Sequence, residues 1–271
     1  MASPPLQLVL VRHGGTEWSR DGRHTGRTDI PLTEAGRGEA ERVGALLQRF
    51  ELARVLASPM SRSLETCRLA GLGERAELRD ELLEWDYGDY EGITTAAIRE
   101  TRPDWVLWRD GCPNGEQPAE VARRADGLLD ELAGQEGDVA VFGHGHMLRV
   151  LTARWLGLEP ARGALFVLAT ATLSLLGSEH DWHAIRAWYV RGSAAANPRV
   201  HVRREACCRS GYASSRRSLP FSTVMTCATS MAIGRSLPAP SPEKRTQTKA
   251  RSPASASQVV RSAGRDTSGF Q

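Results

Sequence analysis

Three short apolar runs, each delivering a cationic or imidazole residue at or just beyond its end, most constrain how this chain folds. The first, Leu8-Val9-Leu10-Val11, ends in Arg12-His13-Gly14. The second, Arg54–Ala57, ends in Ser58-Pro59 and carries Arg62 one helical turn later. The third, Asp138–Phe142, ends in Gly143-His144-Gly145. Apolar runs of this length fit strands buried on both faces, and glycine at their ends permits a sharp turn. Between them lie helical patterns. Pro31-Leu32-Thr33 opens one, with Thr33 as N-cap and Ala40, Val43, Leu47 and Phe50 on one face. Another follows Ser58-Pro59 through Ala70 to a stop at Gly71, and Pro118–Ala133 sets Val121, Ala125, Leu128 and Leu132 in register. A fourth spans about Met147 to Leu156, and the polar stretch Gly14–Asp29 reads as a loop. The alternation predicts an α/β fold with a mainly parallel central sheet and helices on both faces, closed by strands over Phe166–Leu176 and Trp182–Tyr189. The carboxyl ends of parallel strands share one edge, where open α/β sheets bind ligands. Arg12, His13, Arg62 and His144 are therefore expected to converge.

Charge divides the 271 residues in two. From Ser193 to Gln271 there are 13 Lys+Arg against 3 Asp+Glu, leaving 22 against 29 in the first 192 residues. All seven tryptophans precede residue 192. This predicts an acidic globular domain over residues 1–191 and a basic, disordered tail over 192–271. The tail's charge suits electrostatic binding of nucleic acid, but its lack of patterning reads as an unselected extension. Five cysteines without recurrent spacing fit neither a disulfide framework nor a zinc site, and point to the cytoplasm. The first apolar run leads straight into Arg12-His13, so it reads as a strand and not a signal peptide. The apolar stretch Ala164–Gly177 is too short and too interrupted to span a bilayer, so no membrane partner is expected.

Two guanidinium groups beside an imidazole suit a phosphoryl group, held by paired charge-assisted hydrogen bonds. A neutral imidazole is a competent nucleophile toward phosphorus. A second imidazole, if protonated, adds donors to the charge that builds on the phosphoryl oxygens, each such donor contributing roughly 3–4 kcal/mol. No metal or other cofactor is needed for this chemistry. A proton for the leaving group points to the acidic stretch Glu84–Glu91, where Glu84 follows two leucines and precedes Trp85, a setting that raises a carboxyl group's pKa. Rival phosphoryl-transfer motifs are absent. There is no G-x-x-x-x-G-K-[ST] loop, and Cys67 and Cys112 are followed six positions on by Gly73 and Pro118 where a cysteine phosphatase loop requires arginine.

Residues 9–19, Val-Leu-Val-Arg-His-Gly-Gly-Thr-Glu-Trp-Ser, resemble the entry motif of the histidine phosphatase superfamily, the phosphoglycerate mutase-like group. Further blocks match in order: Thr25–Thr33, Ser58-Pro59-Met60-Ser61-Arg62 with Thr66, Glu84–Gly92, and Gly143-His144-Gly145-His146. The likeness covers about residues 6–190 and is greatest to bacterial acid-phosphatase-like members and fungal sedoheptulose-1,7-bisphosphatase. It implies His13 as phosphorylated nucleophile, Glu84 as proton donor, and Arg12, Arg62 and His144 around the phosphoryl group. It implies Ser19, Thr25, Gly26, Tyr87, His146 and Arg149 on the substrate side. Two departures stand out. Gly15 replaces the usual glutamate or glutamine, and His24 stands where the sedoheptulose enzymes have tyrosine.

The resemblance implies a phosphatase acting on a small phosphorylated metabolite. Mutases of the family carry a longer insertion than the roughly sixty residues between Glu84 and His144, which favours hydrolysis. A non-catalytic phosphate-binding scaffold is the third reading, against which stands retention of all five core groups. Several residues have equally plain alternatives: His146 as a helix cap, Arg149 as a solvated helix residue, Arg109 as the salt-bridge partner of Asp110. His24, His180, His183 and His201 are expected on the surface or in loops, and Trp105, Trp108 and Trp155 as packing anchors.

Overall fold

A computed structural model describes residues 5–192. The expected basic tail, apart from its first residue, lies outside the described residues, as does His201. The chain begins with β1 (Gln7–Arg12), whose residues Leu8 to Val11 are wholly buried. A short helix α1 (Glu17–Asp21) follows, inside the stretch expected to be a loop. Its cause is local: Thr16 and Ser19 form a reciprocal capping box, and Gly22 closes the turn at φ 72°. Next come α2 (Glu34–Leu47), capped by Thr33 as expected, then β2 (Leu52–Ala57) and α3 (Ser61–Leu69). Phe50 lies past the end of α2 but packs on the same core.

A three-residue strand β3 (Ala76–Leu78) precedes α4 (Thr95–Thr101), α5 (Leu107–Asp110) and α6 (Pro118–Leu132). The chain then runs through β4 (Asp138–Gly143), α7 (Gly145–Trp155), β5 (Thr172–Glu179) and β6 (Trp182–Arg191). The sheet order is β3-β2-β4-β1-β5-β6. The first four strands are parallel, and β5 and β6 are antiparallel additions on the β1 side.

The two-residue period of the strands sorts the core into two layers. Leu8, Leu10, Leu56, Val139 and Val141 face α6 and α7, meeting Leu128, Leu132, Leu148 and Leu151. Val9, Val11, Val55, Ala57, Ala140 and Phe142 face the other way, toward Val43, Leu47 and Cys67 of α2 and α3. Each central strand is thus buried on both sides, which is why its sequence shows no polar alternation. Truncating one such side chain, for instance Leu10→Ala, costs about 2–5 kcal/mol.

The apolar run expected as a strand from Phe166 becomes one only at Thr172. The preceding residues are drawn off the sheet: the Leu168 carbonyl takes a hydrogen bond from the Arg12 guanidinium, and the Ala171 N–H donates to the carbonyls of Arg12 and His13 at 3.1 and 3.0 Å. Among the described residues, no helix is long and apolar enough to cross a membrane.

Candidate active site

Strand register brings the site together. Arg12 lies opposite Gly143, and Ala57 opposite Phe142, so the carboxyl ends of β2, β4 and β1 stand level. The His13 N–H donates to the Gly143 carbonyl and the Ser58 N–H to that of Phe142, both at 3.0 Å. The expected convergence follows: the rings of His13 and His144 are 5.2 Å apart, and Arg62 Nε donates to His144 Nδ1 at 3.2 Å.

His13 is buried, and its Nδ1–H donates to the Gly14 carbonyl at 2.7 Å. A carbonyl only accepts, so this contact fixes the tautomer and leaves the lone pair on Nε2. Gly14 is itself anchored, its N–H donating to Thr66 Oγ1 at 3.0 Å. A Cβ on Gly14 would lie 2.3 Å from the Gly36 carbonyl oxygen, so glycine is required where β1 passes the start of α2. Burial, then the charges of Arg12 and Arg62, push the His13 imidazole well below its ordinary value and keep it neutral.

His144 is also held far below the ordinary imidazole range, by burial and then by Arg62. Because Nδ1 accepts from Arg62, Nε2 carries the hydrogen and donates to Ser58 Oγ at 2.8 Å. The condition under which the second histidine would add imidazolium donors is therefore not met, and its one N–H is that of a neutral ring. Arg62 is fully buried, with further hydrogen bonds to the carbonyls of Thr25, Gly26 and Thr28 at 3.2, 2.9 and 3.0 Å. It and His144 lie behind the surface of the cleft, whereas His13 and Arg12 open onto it. Arg12 Nε is buried without a hydrogen-bond partner among the described residues.

Glu84 lines the same cleft and is buried. Oε1 accepts the N–H groups of Trp85 and Met147 at 2.9 and 2.8 Å, and Oε2 that of His146 at 3.0 Å. These last two belong to the first turn of α7, so the carboxylate sits at a helix N-terminus. One lone pair of Oε2 remains open.

The cleft, of about 290 Å³, also contains Ser19, Thr25, Tyr87 and His146. Ser19 Oγ is engaged in the α1 capping box. Tyr87 Oη and His146 Nδ1 are 2.6 Å apart. Burial keeps both neutral, raising the phenol and lowering the imidazole. Gly26 lies beside the cleft, its N–H held by Glu91. Arg149 is not on the lining. Its guanidinium donates to the Gly163 and Ala164 carbonyls and lies 4.5 Å over the Trp108 ring. Among the described residues, no group of three or more His, Cys, Asp or Glu is placed to hold a metal ion.

The sequence profile of the histidine phosphatase superfamily, branch 1, matches residues 8–191. The chain belongs to this superfamily. An acid phosphatase of Mycobacterium tuberculosis is 46% identical over 180 residues, 64% of this chain and 87% of the relative. Sedoheptulose 1,7-bisphosphatase of Saccharomyces cerevisiae is 36% identical over 190 residues, 58% and 70% of the two chains. The solved structure of open reading frame Rv3214 from Mycobacterium tuberculosis superposes with a TM-score of 0.67 at 42% identity, covering 69% of this chain and 98% of that one.

Two features of this histidine phosphatase escape the sequence motifs. His24 is not a surface residue. It is buried in the cleft, Nδ1 bonded to the Ile93 carbonyl at 2.8 Å and its ring 4.8 Å from Tyr87, with Trp105 edge-on. Its place directly before the Thr25-Gly26 block was the available signal. Trp105 and Trp108 also line the cleft besides packing, whereas Trp155 stacks on His183 away from it. The second feature is Glu39 of α2. Its Oε2 accepts the Gly15 N–H at 3.0 Å and lies 3.4 Å from where a Gly15 Cβ would stand. A carboxylate from the neighbouring helix thus stands beside position 15.

Proposed function

We propose that this histidine phosphatase is a metal-independent phosphomonoesterase that hydrolyses a small phosphorylated metabolite through phosphohistidine at His13. The observation that carries this reading is the 2.7 Å bond from His13 Nδ1–H to the Gly14 carbonyl, which leaves a neutral Nε2 lone pair in a cleft shared with Arg12 and Glu84. His13 Nε2 attacks phosphorus as the ester P–O bond breaks. The departing alkoxide takes a proton from the open position on Glu84 Oε2. Water then gives a proton back to Glu84 and attacks phosphorus, the P–N bond breaks, and inorganic phosphate leaves. Arg12 stabilises charge on the phosphoryl oxygens, and Arg62 and His144 brace the site from behind, the His144 Nε2–H being held by Ser58 Oγ. Tyr87, His146, His24 and Thr25 border the leaving group.

The names of the relatives, an acid phosphatase and a sugar bisphosphatase, support small phosphate esters as the substrate class. The test is p-nitrophenyl phosphate hydrolysis in the presence of EDTA. Nitrophenol release that disappears in His13→Ala supports the proposal. Activity lost to EDTA and restored by a metal ion contradicts it. Interconversion of phosphoglycerates without net phosphate release points to a mutase, and inertness toward every ester to a scaffold.

A further inference from the structure

The steps above leave two arginines of the cleft unused. Arg23 and Arg99 both line it, and both are exposed. Arg23 lies with its guanidinium carbon 5.9 Å from the Trp18 ring, and Arg99 Nε donates to the Trp105 carbonyl at 3.1 Å, which orients the side chain and leaves its terminal N–H groups free. Neither forms an ion pair among the described residues. Other exposed arginines of this domain are of both kinds: Arg20 pairs with Glu17, whereas Arg49, Arg68 and Arg123 form no ion pair among the described residues. What sets Arg23 and Arg99 apart is that both unpaired guanidinium groups border the same cleft as His13.

Their supports are joined. Arg23 pairs with Thr94 in an isolated antiparallel bridge, immediately before α4, and the His24 N–H donates to the Ile93 carbonyl at 3.0 Å. On α4, Thr95 and Arg99 are four residues apart, so they share the face that borders the cleft. Glu84 is the one carboxylate on the lining among the described residues, and it accepts three backbone N–H groups and forms no ion pair with either arginine. Arg149 is committed to carbonyls and to Trp108, so it does not serve this region.

We propose that Arg23 and Arg99 form a second anion subsite, and that preferred substrates carry another phosphate or carboxylate besides the phosphoryl group presented to His13. The inference rests on the phosphatase reading for the position of the first group. It concerns specificity: each arginine offers charge-assisted hydrogen bonds to an anion at the cleft mouth.

The test compares matched esters, fructose 1-phosphate against fructose 1,6-bisphosphate, and glycerol 3-phosphate against 3-phosphoglycerate. The wild type is expected to favour the doubly anionic member of at least one pair. Which pair responds distinguishes phosphate from carboxylate. Arg23→Gln and Arg99→Gln should each reduce the kcat/KM ratio within that pair by about tenfold or more, mainly through KM, with Arg99→Lys retaining part of it. A wild type without the preference, or a ratio unchanged in both variants, overturns the subsite. Binding to His13→Ala, followed by tryptophan fluorescence, separates this proposal from the catalytic one. Tighter binding of the bisphosphate that depends on Arg99 supports the subsite even if no ester is hydrolysed. Hydrolysis without dependence on either arginine removes the subsite alone.

Discussion

Arg62 on α3 donates Nε–H to Nδ1 of His144 at the end of β4, 3.2 Å away, and so decides which nitrogen of the second imidazole carries hydrogen. The same guanidinium holds the carbonyls of Thr25, Gly26 and Thr28. Removing it strands four acceptors, of which His144 Nδ1 and the Gly26 carbonyl are buried, each of these left at a cost of about 1–3 kcal/mol. Arg62→Met is expected to lower unfolding stability by at least about 3 kcal/mol in urea titrations and turnover by about 10²-fold or more. Arg62→Lys keeps the charge but not the planar fork, and should recover little of either. A loss below about 1 kcal/mol with turnover intact speaks against the tautomer assignment.

Acid should destabilise this fold early. His13, His24, His144 and His146 are all held below the ordinary imidazole value, burial being the first cause at each. Unfolding returns them to about 6.5, so below that pH the unfolded chain binds protons the folded chain refuses. Stability is fully present above about pH 6.5 and falls as pH drops through it, each histidine adding up to about 1.4 kcal/mol per pH unit until its folded value is reached. Urea unfolding across this range measures the slope, and His24→Phe should make it shallower. A flat profile between about pH 5 and about pH 7.5 contradicts the neutral assignments.

The lowered pKa of His13 also has a kinetic consequence. Nε2 keeps its lone pair at pH values where an ordinary imidazole is charged, so the acid limb of kcat/KM assigned to His13 should lie below about 6.5. A His13-dependent limb at or above that value rules against a ring kept neutral by burial and the neighbouring arginines.

Glu84→Gln should slow esters with poor leaving groups, such as glycerol 3-phosphate, by about 10²-fold or more while affecting p-nitrophenyl phosphate far less. Nitrophenolate departs without a proton, so the contrast isolates the acid step. Equal losses on both esters point instead to the lost contacts with α7.

Glu39→Ala tests the carboxylate supplied from α2. The Gly15 N–H loses its acceptor, and Thr170 Oγ1 loses a contact at 3.3 Å. The expected cost is about 1–2 kcal/mol of stability with a several-fold drop in turnover. Glu39→Gln, which retains an acceptor, should restore much of both. No change in either quantity shows that position 15 needs no carboxylate nearby.

The sequence made the central strands legible because burial on two faces leaves β1, β2 and β4 as unbroken apolar runs, and the residues at their ends name the site. Thr33 and the period of α6 were equally readable, since caps and helical faces are local signals. The failures were of three kinds. α1 is polar, so only its capping box betrays it. β3 is three residues long and has no period to detect. The stretch Phe166–Ala171 has strand-like composition, but hydrogen bonds to Arg12 and His13 take it off the sheet, a tertiary demand that no window of sequence contains. Glu39 escaped for the same reason, reaching the Gly15 N–H from a helix position whose neighbours show no chemical pattern, whereas His24 adjoins the Thr25-Gly26 block and was signalled by that place.

The most direct test of the account is to quench the enzyme during turnover of a phosphate ester, under alkaline conditions that preserve phosphoramidate, and locate the phosphoryl group by peptide mass spectrometry. The account predicts phosphoryl on His13, absent from His13→Ala and accumulating when Glu84→Gln slows its hydrolysis. A phosphoryl group on any other residue during turnover, or active His13→Ala enzyme, would contradict it.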